Sequence, residues 1–199
     1  MHTATAVPSP HNKTDLRTPA LARRRVYAHS LDSTLRGNLE EQLAARVLPH
    51  LPPGAAVASY SPMRYEIDPA PITAALQAAG HVVAFPWFAN RDAHMIFRAG
   101  PADAPGPWGV LQPGSDTAAV HPDIVLVPLV AADHGCNRIG HGKGHYDRAL
   151  ANLRQVAAVR TIGLAWDCQI VADPIPADPW DIALDAIATP DRWIERNFT

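Results

Sequence analysis

The segment Ile124-Val-Leu-Val-Pro-Leu-Val130 constrains this chain more than any other. It is seven residues long, apolar and rich in β-branched side chains, and no polar position divides it into an inner and an outer face. Such a run suits a central strand covered on both sides, and strands of that kind belong to parallel sheets sandwiched between helices. The rest of the chain agrees. Leu31, Leu35, Leu39, Leu43 and Val47 recur every four residues, which predicts a helix from about Ser30 to Val47 with one apolar face. Further helices are predicted from Lys13 to about Ala28, interrupted or kinked near Pro19, from Pro69 to Ala79, and from His145 to Val156. Short apolar runs at 55–60, 82–85, 94–97, 160–165 and 185–188 read as strands. Strands alternating with helices predict an α/β fold: a three-layer α/β/α arrangement with a mostly parallel open sheet and an N-terminal helical extension. Residues 1–12 read as a flexible lead and 13–199 as a single domain.

Charge and composition narrow the classes of function. The formal net charge is −2, so the chain has no general attraction for nucleic acid, though a local basic pocket is compatible with it. With 47% hydrophobic and 18% charged residues it can bury a core. No apolar run approaches the roughly 20 residues of a membrane span, and the start carries no signal-peptide pattern. Cys136 and Cys168 form no CxxC pair, which suits a reducing compartment. A cytoplasmic protein with no nucleic-acid or membrane partner is expected, acting as a monomer or weak dimer. Of the 17 basic residues only Lys13 and Lys143 are lysine; the rest are arginine. In so biased a chain a lysine suggests a place where a compact ammonium suits the ligand.

The chemistry is concentrated in Asp133-His-Gly-Cys-Asn-Arg138-Ile-Gly140-His-Gly142-Lys143-Gly144-His-Tyr146-Asp147-Arg148, between the central strand and a helix. Glycines at 140, 142 and 144 let the backbone approach a ligand, and their N–H groups with the next helix N-terminus form an anion cradle. Arg138 and Lys143 suit a polyphosphate, and Asp147 could hold a Mg²⁺ bridging its oxygens. The pattern is neither GxxxxGK[ST] nor GxGxxG.

This stretch resembles the signature of the 5-formyltetrahydrofolate cyclo-ligase family, approximately P-G-x-A-F-D-x-x-G-x-R-L-G-x-G-x-G-Y-Y-D-R. The resemblance continues in order through Lys13-Thr-Asp-Leu-Arg17, Tyr60-Ser61-Pro62 to Glu66-Ile67-Asp68, Trp108 to Pro113, and Ile162 to Asp185. It implies ATP and Mg²⁺ as co-substrate and metal, and a reduced folate as the small-molecule substrate. It implies ATP contacts at Lys13, Arg17, Arg138, Ile139, Gly140, His141, Gly142, Lys143, Gly144, His145 and Tyr146. Folate contacts fall at Ser61, Glu66 and Trp108, metal contacts at Asp147 and Asp181, and catalytic roles at Lys143, Arg138 and Tyr146. The implied reaction closes 5-formyltetrahydrofolate to 5,10-methenyltetrahydrofolate with release of ADP and phosphate.

Residue by residue, plainer alternatives stay open. Trp108 could fill the core, Glu66 could be an exposed strand-end carboxylate, and Lys13 and Arg17 could belong to a solvated helix face. His145 stands where the family has tyrosine, and Cys136 where it has glycine. Other readings are a catalytically impaired nucleotide-binding module acting as a regulator, a different ATP-dependent ligase or kinase, and a zinc site at His134, Cys136, His141 and His145.

Overall fold

In the computed structural model, which describes residues 12–197, the apolar run at 124 lies in the middle of an eight-stranded sheet. In chain order the elements are α1 (Lys13–Ser30), α2 (Ser33–Val47), β1 (Val57–Ala58), α3 (Ala70–Ala78), β2 (Val83–Trp87) and β3 (Ile96–Ala99). Next come β4 (Ala104–Pro105), β5 (Leu111–Gln112), β6 (Ala119–Val120), β7 (Ile124–Pro128), β8 (Ala131–Ala132) and β9 (Arg138–Ile139). The chain continues through α4 (His145–Val156), β10 (Arg160–Leu164), β11 (Ala186–Ala188) and β12 (Trp193–Glu195).

The sheet order is β12-β11-β10-β7-β1-β2-β3-β6, and β4/β5 and β8/β9 form two small ribbons. Strands β11, β10, β7, β1 and β2 run parallel, β12 and β3 flank them antiparallel, and β6 pairs antiparallel with β3. Alternate residues of β7 enter opposite layers. Ile124 and Leu126 pack with Leu43 and Val47 of α2 and with Ile72 and Leu76 of α3. Val125 and Val127 pack with Ala149 and Leu150 of α4. This is the three-layer α/β/α arrangement expected from the sequence. In β10, Gly163 is required by packing, because a Cβ there would lie 2.6 Å from Leu184 and 2.8 Å from Leu129.

Several local expectations are refined. Helix α1 runs through Pro19 without a break. Helix α2 starts at Ser33, three residues later than predicted, because the Asp32 carboxylate accepts a hydrogen bond from the Leu35 N–H at 2.8 Å and caps it. Its leucine stripe is only partly apolar-facing: Leu43 and Val47 are buried, but Leu35 is exposed. A repeat of four drifts around a helix of 3.6 residues per turn, so residues at the two ends of the stripe face different ways. The strand expected at 94–97 is β3, two residues later. The predicted lead lies outside the described residues except for Asn12, whose side chain caps α1 by accepting from the Asp15 N–H at 3.0 Å.

The topology also locates a crevice. From β1 the chain moves outward to β2, then returns to lay β7 on the other side of β1 and continues outward to β10 and β11. The direction of winding therefore reverses between β1 and β7, and ligands of open α/β sheets bind beyond the carboxyl ends of such a strand pair. The loops leaving those ends carry residues 59–68 and 129–144.

Candidate active site

The glycine loop begins as a tight hairpin. Asp133 is buried and accepts hydrogen bonds from the Asn137 N–H at 2.9 Å and the Ile175 N–H at 2.7 Å. Cys136 adopts φ +62°, the left-handed conformation for which glycine is the usual residue. Its thiol is buried, and burial followed by the Asp133 charge pushes its pKa up to about 11. Beyond β9 the loop turns at Gly142 (φ +84°) and Gly144 (φ +64°). Gly144 is the N-cap of α4 and supplies no side-chain cap, so the first N–H groups of that helix are left for another acceptor.

Helix α1 is fastened to this loop. The Arg17 guanidinium donates to the Gly140 carbonyl at 2.8 Å, and a Cβ on Gly142 would stand 3.2 Å from the Arg17 guanidinium carbon. Lys13 forms an ion pair with Asp181. Arg17 thus lies against the loop and Lys13 against Asp181, and the two do not form an ordinary solvated helix face. Arg138 is buried, donates to the Ile182 carbonyl, and pairs with Asp147 at 2.7 Å. Ile139 turns its side chain into the core, and its carbonyl accepts from the Val130 N–H at 2.7 Å, so neither presents itself to a ligand. Lys143 is exposed, and its ammonium has no hydrogen-bond or ion-pair partner among the described residues.

The same side chains test the fit of a metal ion. Asp147 uses Oδ1 to accept from Arg138 and from the Ile182 N–H (3.3 Å), and Asp181 uses Oδ2 for Lys13 and the Asp178 N–H. The second oxygen of each carboxylate carries no hydrogen bond among the described residues. Among the described residues, no group of three or more His, Cys, Asp or Glu gathers there. Two carboxylate oxygens suit Mg²⁺, which takes one or two carboxylates and completes its shell with phosphate and water. Three of the four residues of the zinc reading diverge: Cys136 faces the core, His141 reaches Glu66, and His145 joins an aromatic cluster.

Glu66, from the loop after β1, is buried and not a surface carboxylate. Its Oε1 accepts from Arg24 of α1 at 3.4 Å and from His141 Nε2 at 3.2 Å, and its Oε2 accepts from the Met63 N–H at 2.7 Å. The hydrogen bond from His141 joins the glycine loop to the loop after β1. Arg24 also donates to the Leu129 carbonyl at 3.2 Å, at the end of the central strand. A single arginine in the run Arg23-Arg24-Arg25 gives no sequence signal of burial, and sequence reasoning missed it.

Beside Glu66 lies a cleft of about 410 Å³ between residues 61–64 and 108–111. Ser61 ties the walls together by donating to the Leu111 carbonyl at 2.9 Å. Trp108 is 42% exposed, so it lines the cleft and does not fill the core. It is held at φ +60° and meets Phe88 at 5.0 Å and His145 at 5.1 Å between ring centroids. Phe88 is a second residue that sequence reasoning missed. The Arg148 guanidinium donates to His145 Nδ1 at 3.3 Å, which leaves the proton of a neutral imidazole on Nε2. Burial, then the charges of Arg148 and Lys143, lower the His145 pKa. Burial and the nearby Glu66 charge push the Tyr146 phenol well above its ordinary pKa, so it is un-ionised and can donate a hydrogen bond.

A doubly wound sheet with a glycine loop and an aromatic-walled cleft near its switch point has the form of a small-molecule site in the α/β class. The chain belongs to the 5-formyltetrahydrofolate cyclo-ligase family, whose model matches residues 9–190; it is on that ground a ligase. It is 30% identical over 203 residues to the 5-formyltetrahydrofolate cyclo-ligase of Mycolicibacterium smegmatis, covering 94% of this chain and 97% of that one. The corresponding Escherichia coli K12 protein is 41% identical over 70 residues, and that match spans only 37% of its length. Among solved structures, the 5,10-methenyltetrahydrofolate synthetase of Aquifex aeolicus superposes with a TM-score of 0.76 at 26% identity, covering 94% of each chain. That of Mycoplasma pneumoniae gives 0.69 at 25% identity, covering 89% of this chain and 98% of the other.

Proposed function

We propose that this chain converts 5-formyltetrahydrofolate to 5,10-methenyltetrahydrofolate, consuming ATP with Mg²⁺ and releasing ADP and phosphate. One observation carries the reading: His141 of the glycine loop and Glu66 of the loop after β1 lie 3.2 Å apart, so a nucleotide cradle and a folate acceptor would adjoin.

In this reading the glycine loop, the uncapped N-terminus of α4, Lys13, Arg17 and Lys143 hold the triphosphate. Glu66 accepts hydrogen bonds from the pterin edge, Ser61 borders the bound folate, and Trp108 packs on it. The formyl oxygen attacks the γ-phosphorus, the bond to ADP breaks, and a phosphorylated imidate forms. N10 then attacks the formyl carbon, the carbon–oxygen bond breaks, phosphate departs, and the N10 proton passes to solvent. Lys143 and Arg138 offset the charge that moves between phosphate oxygens, and the Tyr146 hydroxyl orients a ligand by donating to it. Alignment and charge neutralisation do the chemical work, and no protein nucleophile is needed. A Mg²⁺ would add charge neutralisation at the phosphates, with Asp147 and Asp181 as the residues to hold it.

The test is the absorbance of the methenyl product. A rise that requires ATP, Mg²⁺ and 5-formyltetrahydrofolate together supports the reading. Nucleotide binding without that rise would replace it with an impaired binding module.

A further inference from the structure

The cleft beside Glu66 has one charged lining residue. Among Ser61, Pro62, Met63, Arg64, Trp108 and the residues that follow it, only Arg64 carries a full charge. Its side chain has no ion pair or hydrogen bond among the described residues. It is nevertheless not a loose surface arginine. The guanidinium lies over the Tyr65 ring at 4.8 Å from its centroid, a cation–π geometry. Tyr65 is held through side chain and backbone: its hydroxyl is hydrogen bonded to His29 Nε2 at 3.0 Å, and its carbonyl accepts from the Trp166 indole N–H at 3.1 Å. Trp166 is fully buried, so the platform is anchored in the core.

The backbone adds a second, independent sign. Tyr65 is held at φ +72° and Trp108, on the opposite wall, at φ +60°. Left-handed backbone at bulky residues persists only where the surroundings over-determine it, and such positions concentrate at ligand sites. Here they fall on or beside the two walls of a single cleft. The turn joining them to the site is tight, since the Glu66 N–H donates to the Met63 carbonyl at 2.9 Å and the Met63 N–H donates back to Glu66 Oε2. Its buried end presents a carboxylate acceptor and its exposed end an unpaired guanidinium.

We infer that Arg64, stacked on Tyr65, is the subsite for a carboxylate borne by an aromatic arm of the substrate. On the proposed folate reading, on which this inference rests, that group is the glutamate of the p-aminobenzoylglutamate tail, its ring lying along Trp108. The ligand then bridges one turn: heterocycle donors meet the acceptor at Glu66, and the tail anion meets the donor at Arg64. A guanidinium pre-set on an aromatic plane loses less side-chain freedom on binding a carboxylate than a mobile one does. Chains with more γ-linked glutamates would add anions near the same cation.

The experiment compares 5-formyltetrahydrofolate with its analogue lacking the glutamate, on the full chain and on Arg64→Ala and Arg64→Lys. Equilibrium binding is read by tryptophan fluorescence and turnover by product absorbance. The expected result is at least a fivefold rise in Kd and KM for the complete folate in Arg64→Ala. The preference for it over the truncated analogue should fall toward one, with partial recovery in Arg64→Lys. Arg64 is exposed, so unchanged thermal melts are expected and exclude misfolding. Equal losses for both compounds, or an unaltered preference, overturn the inference while leaving the folate reading intact. Absence of binding of either compound to the unmodified chain overturns both.

Discussion

Replacing Arg24 by methionine removes the guanidinium bonded to the Glu66 carboxylate while keeping most of the side-chain volume. Both side chains are 4% exposed and 3.4 Å apart, so water cannot take over the lost role. At an effective dielectric constant of about 20, their attraction is on the order of 5 kcal/mol. Measured losses on breaking a buried pair from one side are about 3–5 kcal/mol, because the remaining charge stays buried and uncompensated. The second acceptor of Arg24 does not add to this. The Leu129 carbonyl also accepts from Gln169 Nε2 at 2.7 Å and stays satisfied. Arg24→Met should therefore lower unfolding stability by about 3–5 kcal/mol, roughly 6–20 °C in Tm for a chain of this size. Glu66→Gln in the same background should restore part of that loss, since it removes the stranded charge. Urea unfolding of the wild type, both single variants and the double variant gives the coupling between the two positions. A loss below about 1 kcal/mol for Arg24→Met, or additivity within about 0.5 kcal/mol across the cycle, would refute the pairing as the anchor of the folate acceptor.

Lys143→Ala should reduce kcat/KM at least tenfold, about 1.4 kcal/mol of transition-state stabilisation, with unfolding stability within about 0.5 kcal/mol of wild type; an unaltered kcat/KM removes Lys143 from the mechanism. Gly142→Ala puts a Cβ on a residue at φ +84° and within 3.2 Å of Arg17, so a loss of about 1–2 kcal/mol of stability is expected with weaker nucleotide binding. Calorimetric titration with an ATP analogue checks the second part, and full affinity would show that the loop does not cradle the nucleotide. His145 has a pKa lowered from its ordinary 6.5. The unfolded chain thus takes up the proton first as pH falls, and stability is retained above about pH 6.5 and lost as pH drops through the folded value. An NMR titration should give His145 a midpoint below that of an exposed histidine and show it rising when nucleotide is added. A midpoint indifferent to nucleotide places the phosphates elsewhere.

Much of the fold was legible because it depends on patterns local in sequence. The β-branched run at 124–130 could only be satisfied between two apolar layers, and the predicted boundaries of α4 are the observed ones. The elements missed were those of only two or three residues, such as β6, β9 and β12, too short to show a periodicity and given strand geometry by a neighbour. Within the site, the glycines and the charges of the 138–147 loop were legible from their spacing. Arg24 was not, since a basic helix residue becomes a buried cation only when a carboxylate distant in sequence is packed against it.

The chain's own residues determined the α/β class, the position of the glycine loop and the family to which it belongs, because strand burial, backbone freedom at glycine and motif order are all written in neighbouring positions. Tertiary structure alone decided that Glu66 is buried and bonded to both Arg24 and His141, that Trp108 faces a cleft, and that Arg64 stands on Tyr65 without an ionic partner among the described residues. The physical reason is separation. Glu66 meets groups 42 and 75 residues away, and contacts of that length depend on which strands adjoin, which a one-dimensional pattern does not encode.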